Sequence, residues 1–385
     1  MDSPFLYNKF VTGNHFIGRK DDCNILGNLL FQNENVAIWE PFGTGKKSLV
    51  HQVLTRMKVS GVRFSAGTMT ALDVRSAEVF VKRLATAVIR MVCSTPDEYE
   101  TVVAKYLAGT HFVFDRKAFA DSDAILSTNW DLDDNDLRAA LKVPYFLASG
   151  RQEKLCLIIE EFQNIDLAED GEKVFTLMES VMDEMKQLGI RNFSYLFLGS
   201  QVNAMNDIFV KRHYFYRRVQ RLKLSPVEER EIVEHIIKGF LAGGKVADRD
   251  LISGACRLLR CNLFYINHFT SICDSLSKGY IMEPVMLEAL QTLIAIHTGR
   301  FVATVNDLTT FQVSLLKAVI DGHVKFSASE VIRKYSLNSS ANVRRLKDAL
   351  MKKEIITFVG DEERPVILDP LFEYWLKNTY FKKRQ

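Results

Sequence analysis

A short apolar run, Asn35 to Trp39, breaks at Glu40-Pro41-Phe42-Gly43-Thr44-Gly45-Lys46-Lys47-Ser48 and resumes as an apolar-periodic stretch that reads as a helix. That order constrains the chain more than any other feature. A buried strand that ends in a glycine-bearing turn and passes at once into a helix aims backbone N–H groups at one spot. The helix dipole and a lysine ammonium add positive charge there, so the spot suits a phosphate-like anion. The pattern of a phosphate loop is incomplete: its first glycine position holds Glu40, and the Ser/Thr expected after the lysine is Lys47. Ser48 stands one residue late, a rotation of roughly 100° about the helix, so it does not simply become the magnesium ligand. Two arrangements are open. Either Lys47 turns to solvent while water and acidic residues hold the metal, or its ammonium substitutes in part for the metal's charge.

The strand before the loop has companions. Val62 to Met69, Leu155 to Glu160, Phe193 to Gly199 and Arg218 to Leu224 are rich in Val, Ile, Leu and Phe, and amphipathic stretches such as Ser76 to Val92 and Gly171 to Leu188 separate them. Apolar runs with little alternation predict an α/β fold, a doubly wound parallel sheet covered by helices. With 385 residues, 47% of them hydrophobic and 25% charged, the chain has the makings of two or three globular domains. Ser225-Pro226 suits a helix start, and the pattern stays helical to about Thr298. From about Asn306 it predicts three helices, the last Ala341 to Lys353, then two strands flanking Gly360-Asp361-Glu362-Glu363. That succession is a winged helix-turn-helix. The expected divisions are 1–224, 225–300 and 301–385.

Two further strand ends bear chemistry. Leu155 to Glu160 closes on Glu160 and Glu161; beside a phosphate loop the first acid would hold Mg²⁺, directly or through water, and the second would act as general base on the attacking water. Phe193 to Gly199 closes on Ser200 and Gln201, which either contact a terminal phosphate, orient water or merely cap a helix. Arg217 and Arg218 either supply charge to a phosphate, in cis or across a subunit contact in an oligomer, or form a basic solvated turn.

Phe16-Ile17-Gly18-Arg19, the loop ending in Gly45-Lys46, the strand Leu157 to Phe162 and the segment Phe197-Leu198-Gly199-Ser200-Gln201 together resemble the archaeal-type ATPases of the STAND branch of AAA-like P-loop NTPases. The resemblance extends over nearly the whole chain and implies an ATPase core, a helical lid at 225–300 and a winged helix. It also implies ATP, ADP and Mg²⁺ as ligands. Phe16, Gly18 and Arg19 would lie near the adenine and ribose; Pro41, Gly43, Thr44, Gly45, Lys46, Lys47, Ser48 and Leu49 would form the rest of the nucleotide site, with Ser200, Gln201 and Arg218 as sensors. Arg260-Cys261-Asn262-Leu263-Phe264-Tyr265 resembles the family's Gly-Gly-Asn-Pro-type lid motif without its glycines or proline. Departures at Glu40, Lys47, Glu160 and this lid motif imply slow hydrolysis or binding alone.

Residues 301–385 carry 14 Lys/Arg against 10 Asp/Glu, while 115–136 hold seven aspartates against two basic residues. Arg344, Arg345 and Lys347 on the last long helix are candidates to contact DNA, although the acidic wing opposes a phosphate backbone. A protein partner through the same module is the other possibility. Two further readings are a nucleotide-independent scaffold and, ranked last, a replication-initiator-like AAA+ protein. Six scattered cysteines without a C-x-x-C pair, the absence of a long apolar run and an N-terminus without a basic segment before an apolar core lead us to expect a cytoplasmic protein without a membrane span.

Overall fold

The computed structural model describes residues 3–117, 119, 125–360 and 363–382; Asp121 and Asp123 of the acidic segment and Asp361 and Glu362 of the wing lie outside the described residues. The chain divides into two compact units. One comprises Lys20–Glu40 and Leu49–Leu224; the other comprises the first 19 residues, Pro41–Ser48 and Ser225 onward.

The first unit holds strands β1 (Val36–Trp39), β2 (Phe64–Thr70), β3 (Phe112–Phe114), β4 (Leu126–Thr128), β5 (Lys154–Glu160), β6 (Phe193–Gly199) and β7 (Gln220–Arg221). Five of them form one parallel sheet in the order β2-β5-β6-β1-β7. β1 and β6 are buried along their whole length, which is why their sequences are continuous apolar runs rather than alternating ones. The helix Ala77–Val92 starts where Ser76 accepts the Val79 N–H, and it packs with Gly171–Gln187 and Asp134–Arg151 in the core of this unit. Asn35 ties the N-terminal edge of the sheet. Its amide donates to the Arg218 carbonyl at 3.1 Å and its Oδ1 accepts the Tyr195 N–H at 2.8 Å.

Two sequence expectations change here. The last strand shrinks from Arg218–Leu224 to the exposed pair Gln220–Arg221, because it pairs only with β1 at the sheet's edge. Ser225-Pro226 does not start a helix. The Ser225 carbonyl accepts from Arg19 Nε at 3.1 Å instead, and the helix begins at Glu229. The acidic segment is in part a structural device: β3 and β4 pair as an antiparallel hairpin, and Asp133 caps the helix Asp134–Arg151. Buried Asp136 accepts the His111 and Asp133 N–H groups and lies 2.8 Å from His111 Nδ1. The hydrogen bond to Asp136 raises the His111 pKa; burial pushes the Asp136 carboxyl up, but the bonds it accepts outweigh this and hold it below its usual range.

The second unit is mainly helical, with a short parallel pair β8 (Val246–Ala247) and β9 (Tyr280–Ile281). The helix Glu283–Asn306 runs unbroken through residue 300, where the sequence suggested a boundary, and its buried residues from Met286 to Val305 join one apolar core with those of the C-terminal helices. Thr310–Ile320, Ser329–Lys334 and Ser340–Lys352 follow, and then β10 (Ile356–Val359) and β11 (Arg364–Ile367) pair antiparallel. This is the expected winged helix, with Ser339 capping the recognition-type helix through the Asn342 N–H. Among the described residues, no helix is long and apolar enough to cross a membrane.

Candidate functional site

The loop after β1 adopts the conformation its glycines permit. Gly43 and Gly45 have φ of +82° and +86°, a left-handed geometry open to glycine at little cost. Among the described residues no acceptor takes the N–H groups of Gly43, Thr44 or Gly45. Three successive N–H groups at the start of the helix Lys46–Val59 are thus without an acceptor, an arrangement of the kind that suits an anion. Lys46 is buried, and its Nζ donates to the Pro41 carbonyl at 3.0 Å, the same oxygen that receives the Thr44 hydroxyl at 2.9 Å. The loop's own carbonyl thus holds the ammonium that an anionic ligand would attract.

Residues from the helical segment close over the same loop. Asn262 Nδ2 donates to the Phe42 carbonyl at 2.8 Å, the Phe264 N–H donates to the Gly43 carbonyl at 3.1 Å, and the Phe42 and Phe264 rings meet edge to face at 4.8 Å. Asn262 also caps the helix Leu263–Leu276 through the Tyr265 N–H. Arg260 and Cys261 lie before it with φ of 48° and 53°, so the missing glycines of the lid motif leave their backbone shape behind. Side chains on either side of Asn262 reach the winged helix. Arg260 donates to the Ile367 carbonyl and lies 3.5 Å from Glu373. The Tyr265 hydroxyl donates to Asp369 at 2.7 Å, and Arg300 donates to both Tyr265 (2.6 Å) and Asp369 (2.8 Å). Asp369 in turn caps the helix Pro370–Trp375. Burial and the Asp369 carboxylate push the Tyr265 hydroxyl's pKa up, so it stays a donor. Sequence reasoning singled out residues 260–265 as a motif but not Arg300 or Asp369, which are distant in sequence from it.

The remaining loop positions divide. Gly18 has φ of +63°, and a Cβ there would meet Glu231 Oε2 at 2.5 Å. Arg19 NH1 lies 3.7 Å from the Cβ position of Gly45, whereas Phe16 ends the short 3-10 turn Gly13–His15. Leu49 is fully buried and belongs to packing. Glu40, which replaces a glycine, accepts the Leu224 N–H at 3.3 Å and so secures the end of β1 to the segment after β7.

The sheet unit brings together two of the predicted strand-end residues. Glu161 follows β5 at φ 54°, and its Oε2 accepts the Ser200 hydroxyl at 2.6 Å and Gln163 Nε2 at 2.8 Å. Two neutral donors thus orient the carboxylate. Gln163 was missed by sequence reasoning, although its place two residues after Glu161 was the available signal; its buried Oε1 has no partner among the described residues. Phe162 anchors the turn, with its ring 4.4 Å from Phe197 and 5.5 Å from Phe175. Glu160 is half-buried, and its carbonyl accepts the Ala71 N–H at 2.8 Å. Gln201 is exposed and makes no side-chain cap. Arg218 is not brought to this cluster. It precedes β7 at the N-terminal edge of the sheet, where Asp183 takes it bidentately at 2.6 and 2.8 Å and Glu179 at 3.0 Å. A parallel sheet places its ligands at the other edge, so the sensor role expected of Arg218 in cis has no geometric support.

The loop does not fit a resident magnesium ion. Lys47 occupies the position of the metal's hydroxyl ligand, and Ser48 Oγ accepts the Val11 N–H at 3.1 Å. On the winged helix, Arg344 and Arg345 are exposed, whereas Lys347 lies over the Phe358 ring at 4.2 Å and 3.4 Å from Glu363.

Comparison with known proteins agrees with this architecture. Residues 299–378 match the model of a family described as a probable winged helix domain. No curated protein matches the sequence. Among solved structures, a Walker-type ATPase of Pyrococcus abyssi superposes with a TM-score of 0.68 at 16% identity, covering 97% of this chain and 99% of that one. The ORC2 protein of Aeropyrum pernix, in ADPNP and ADP complexes, gives a TM-score of 0.60 at 11% identity with coverage of 99% and 98%. At such identities the likeness is one of fold. The chain has the fold of a P-loop ATPase with a C-terminal winged helix.

Gly43 is where the loop has least room for change. A Cβ there would overlap the Asn262 amide and come within 2.8 Å of Phe264 Cβ, in a left-handed backbone. Gly43→Ala is expected to destabilise the protein by at least about 1 kcal/mol and to speed proteolysis within residues 259–265; an unchanged melting temperature and cleavage rate would contradict the closed loop.

Proposed function

We propose that this protein is an ATP- and ADP-binding switch of the STAND type, slow or impaired in hydrolysis, in which occupancy of the loop sets the position of the winged helix. The observation that carries this reading is the double engagement of residues 260–265. Asn262 and Phe264 hold the loop carbonyls while Arg260 and Tyr265 hold β11 and the helix Pro370–Trp375. A polyphosphate that draws Lys46 away from the Pro41 carbonyl and takes the free N–H groups of residues 43–45 reshapes the loop. The Asn262 and Phe264 contacts then change, and the grip on the winged helix changes with them. A ligand shifts such an equilibrium only by its difference in affinity for the two states. Here the difference comes from loop bonds that exist only in the closed state.

Hydrolysis would fall to Glu161 as the acceptor of a proton from water, positioned by Ser200 and Gln163. Its weakness follows from the loop, which lacks a hydroxyl for a metal. Glu160 remains the candidate acid for any water-bridged metal. The winged helix would carry the output, with Arg344 and Arg345 facing a polyanion such as DNA; a protein partner is the other candidate. A second reading, a scaffold independent of nucleotide, is favoured by one observation: Lys46 already has an acceptor within the loop.

The two readings separate in one titration. Lys46→Ala is expected to weaken ATP and ADP binding at least about tenfold, or 1.4 kcal/mol, by calorimetry on nucleotide-stripped protein; equal binding by parent and variant would leave the scaffold. Glu161→Gln is expected to retain nucleotide affinity and lose all phosphate release, and turnover at the parent rate would remove Glu161 from the base role. Reversal of Arg344 and Arg345 to glutamate is expected to reduce DNA affinity and to lower the salt slope by about one unit for each phosphate no longer neutralised. If the parent retains no DNA on a filter at low salt, the output is not DNA.

A further inference from the structure

We propose that His268 and His297 form a proton-sensitive latch, in which proton uptake by the pair parts the helix Leu263–Leu276 from the helix Glu283–Asn306 and so loosens the hold on both the loop and the winged helix. The two rings meet between those helices with centroids 5.7 Å apart and planes at 81°. His268 is 8% exposed, and its ring lies flat on Tyr7 at 4.0 Å. Phe264 closes on the two imidazoles at 5.9 and 6.1 Å, Tyr265 meets His297 edge-on at 5.4 Å, and Phe301 lies 6.1 Å from His297. His268 Nδ1 and His297 Nε2 are buried and have no hydrogen-bond partner among the described residues. A neutral imidazole keeps one nitrogen as a lone pair. An imidazolium turns both nitrogens into N–H donors, and here the added donor is charged, buried and without an acceptor.

The groups around the pair do not relieve that cost. The N-terminal segment brings the Tyr7 ring, the helix Leu263–Leu276 the Tyr265 hydroxyl, the helix Glu283–Asn306 the Arg300 guanidinium, and the start of Pro370–Trp375 the Asp369 carboxylate. Asp369 favours a charged His297, but Tyr265, Arg300 and two backbone N–H groups already hold it. Burial lowers the pKa of both histidines, and a neighbouring cation lowers each further: His297 acts on His268, and Arg300 on His297. The folded state thus prefers neutral rings. Their contribution to stability is whole above the ordinary histidine value of about 6.5 and is lost as the pH falls below it. His268 stands one turn beyond Phe264, on the same helix face. Phe264 holds the Gly43 carbonyl and Tyr265 holds Asp369, so separation of the two helices at this point weakens both grips. The latch needs no ligand in the loop.

Hydrogen exchange of the full chain, read by mass spectrometry and corrected for the intrinsic pH dependence of amide exchange, tests the latch. Between about pH 7.5 and about pH 5.5 the parent's protection over residues 263–273 is expected to fall at least about tenfold, the change for one proton taken up across one pH unit. His268→Phe, which keeps a flat ring against Tyr7, and His297→Gln are each expected to lose part of that fall, and the double variant nearly all of it. The single variants carry the comparison if the double variant fails to fold. His235, also half-buried, lies on the helix Glu229–Ala242, outside the measured segment. Equal protection of the parent at both pH values overturns the latch, and so does the same fall in the parent and in both single variants.

Discussion

The carbonyls of Phe42 and Gly43 find no partner within the glycine-bearing turn, and a backbone carbonyl taken from water needs one. Asn262 and Phe264 supply those partners. Other features of this unit serve that contact. Asn262 can reach only because it caps a helix, and the cap sits there because Arg260 and Cys261 turn the chain through two left-handed residues. Non-glycine residues in that region each cost on the order of 1–2 kcal/mol. Arg260 offsets part of this through its bonds to Ile367 and Glu373.

The same geometry gives the closed arrangement a modest stability. A hydrogen bond contributes about 1 kcal/mol net, somewhat more where one partner is charged. Two bonds to the loop and a few to the winged helix thus amount to a few kcal/mol, comparable with what a phosphate group gains from a lysine and several N–H donors. For the proposed switch, a much stronger closure would defeat a ligand, and a weaker one would leave nothing to shift. The Tyr265, Arg300 and Asp369 triad is the more rigid side, since each member is bonded to the other two and Asp369 also caps a helix.

Much of this was legible in the amino-acid order. The phosphate loop, the β5 and β6 strand ends and the wing were located within a residue or two because burial on both faces demands unbroken apolar runs and because capping residues such as Ser76 and Ser339 mark helix starts. The pairing of Ser200 with Glu161 was within reach, since both end strands of one parallel sheet. Gln163, Arg300 and Asp369 were not, because polar residues in helices and turns look alike in sequence whether they face water or each other. Ser225-Pro226 misled for a related reason: a capping residue type favours a helix start but does not secure one, and here the Ser225 carbonyl is taken by Arg19 while the helix begins at Glu229 without a side-chain cap. Residue 300 looked like a boundary because the pattern changes there, yet a helix continues through a change of neighbours so long as its own hydrogen bonds are unbroken.

By itself the sequence determined the parallel sheet, the glycine-bearing loop after its first strand and the winged helix, since hydrophobic period, glycine placement and turn chemistry are local and survive without knowledge of the fold. It also determined that the loop carries a second lysine where a hydroxyl is usual. Only the tertiary structure decided which residues meet. It turned Arg218 into a structural ion pair at the far edge of the sheet, bound Lys347 to Phe358 and Glu363, and joined residues 260–265 to the loop on one side and to the winged helix on the other. Hydrogen bonds between groups hundreds of positions apart have no periodicity to announce them, and their partners exist only once the chain has folded.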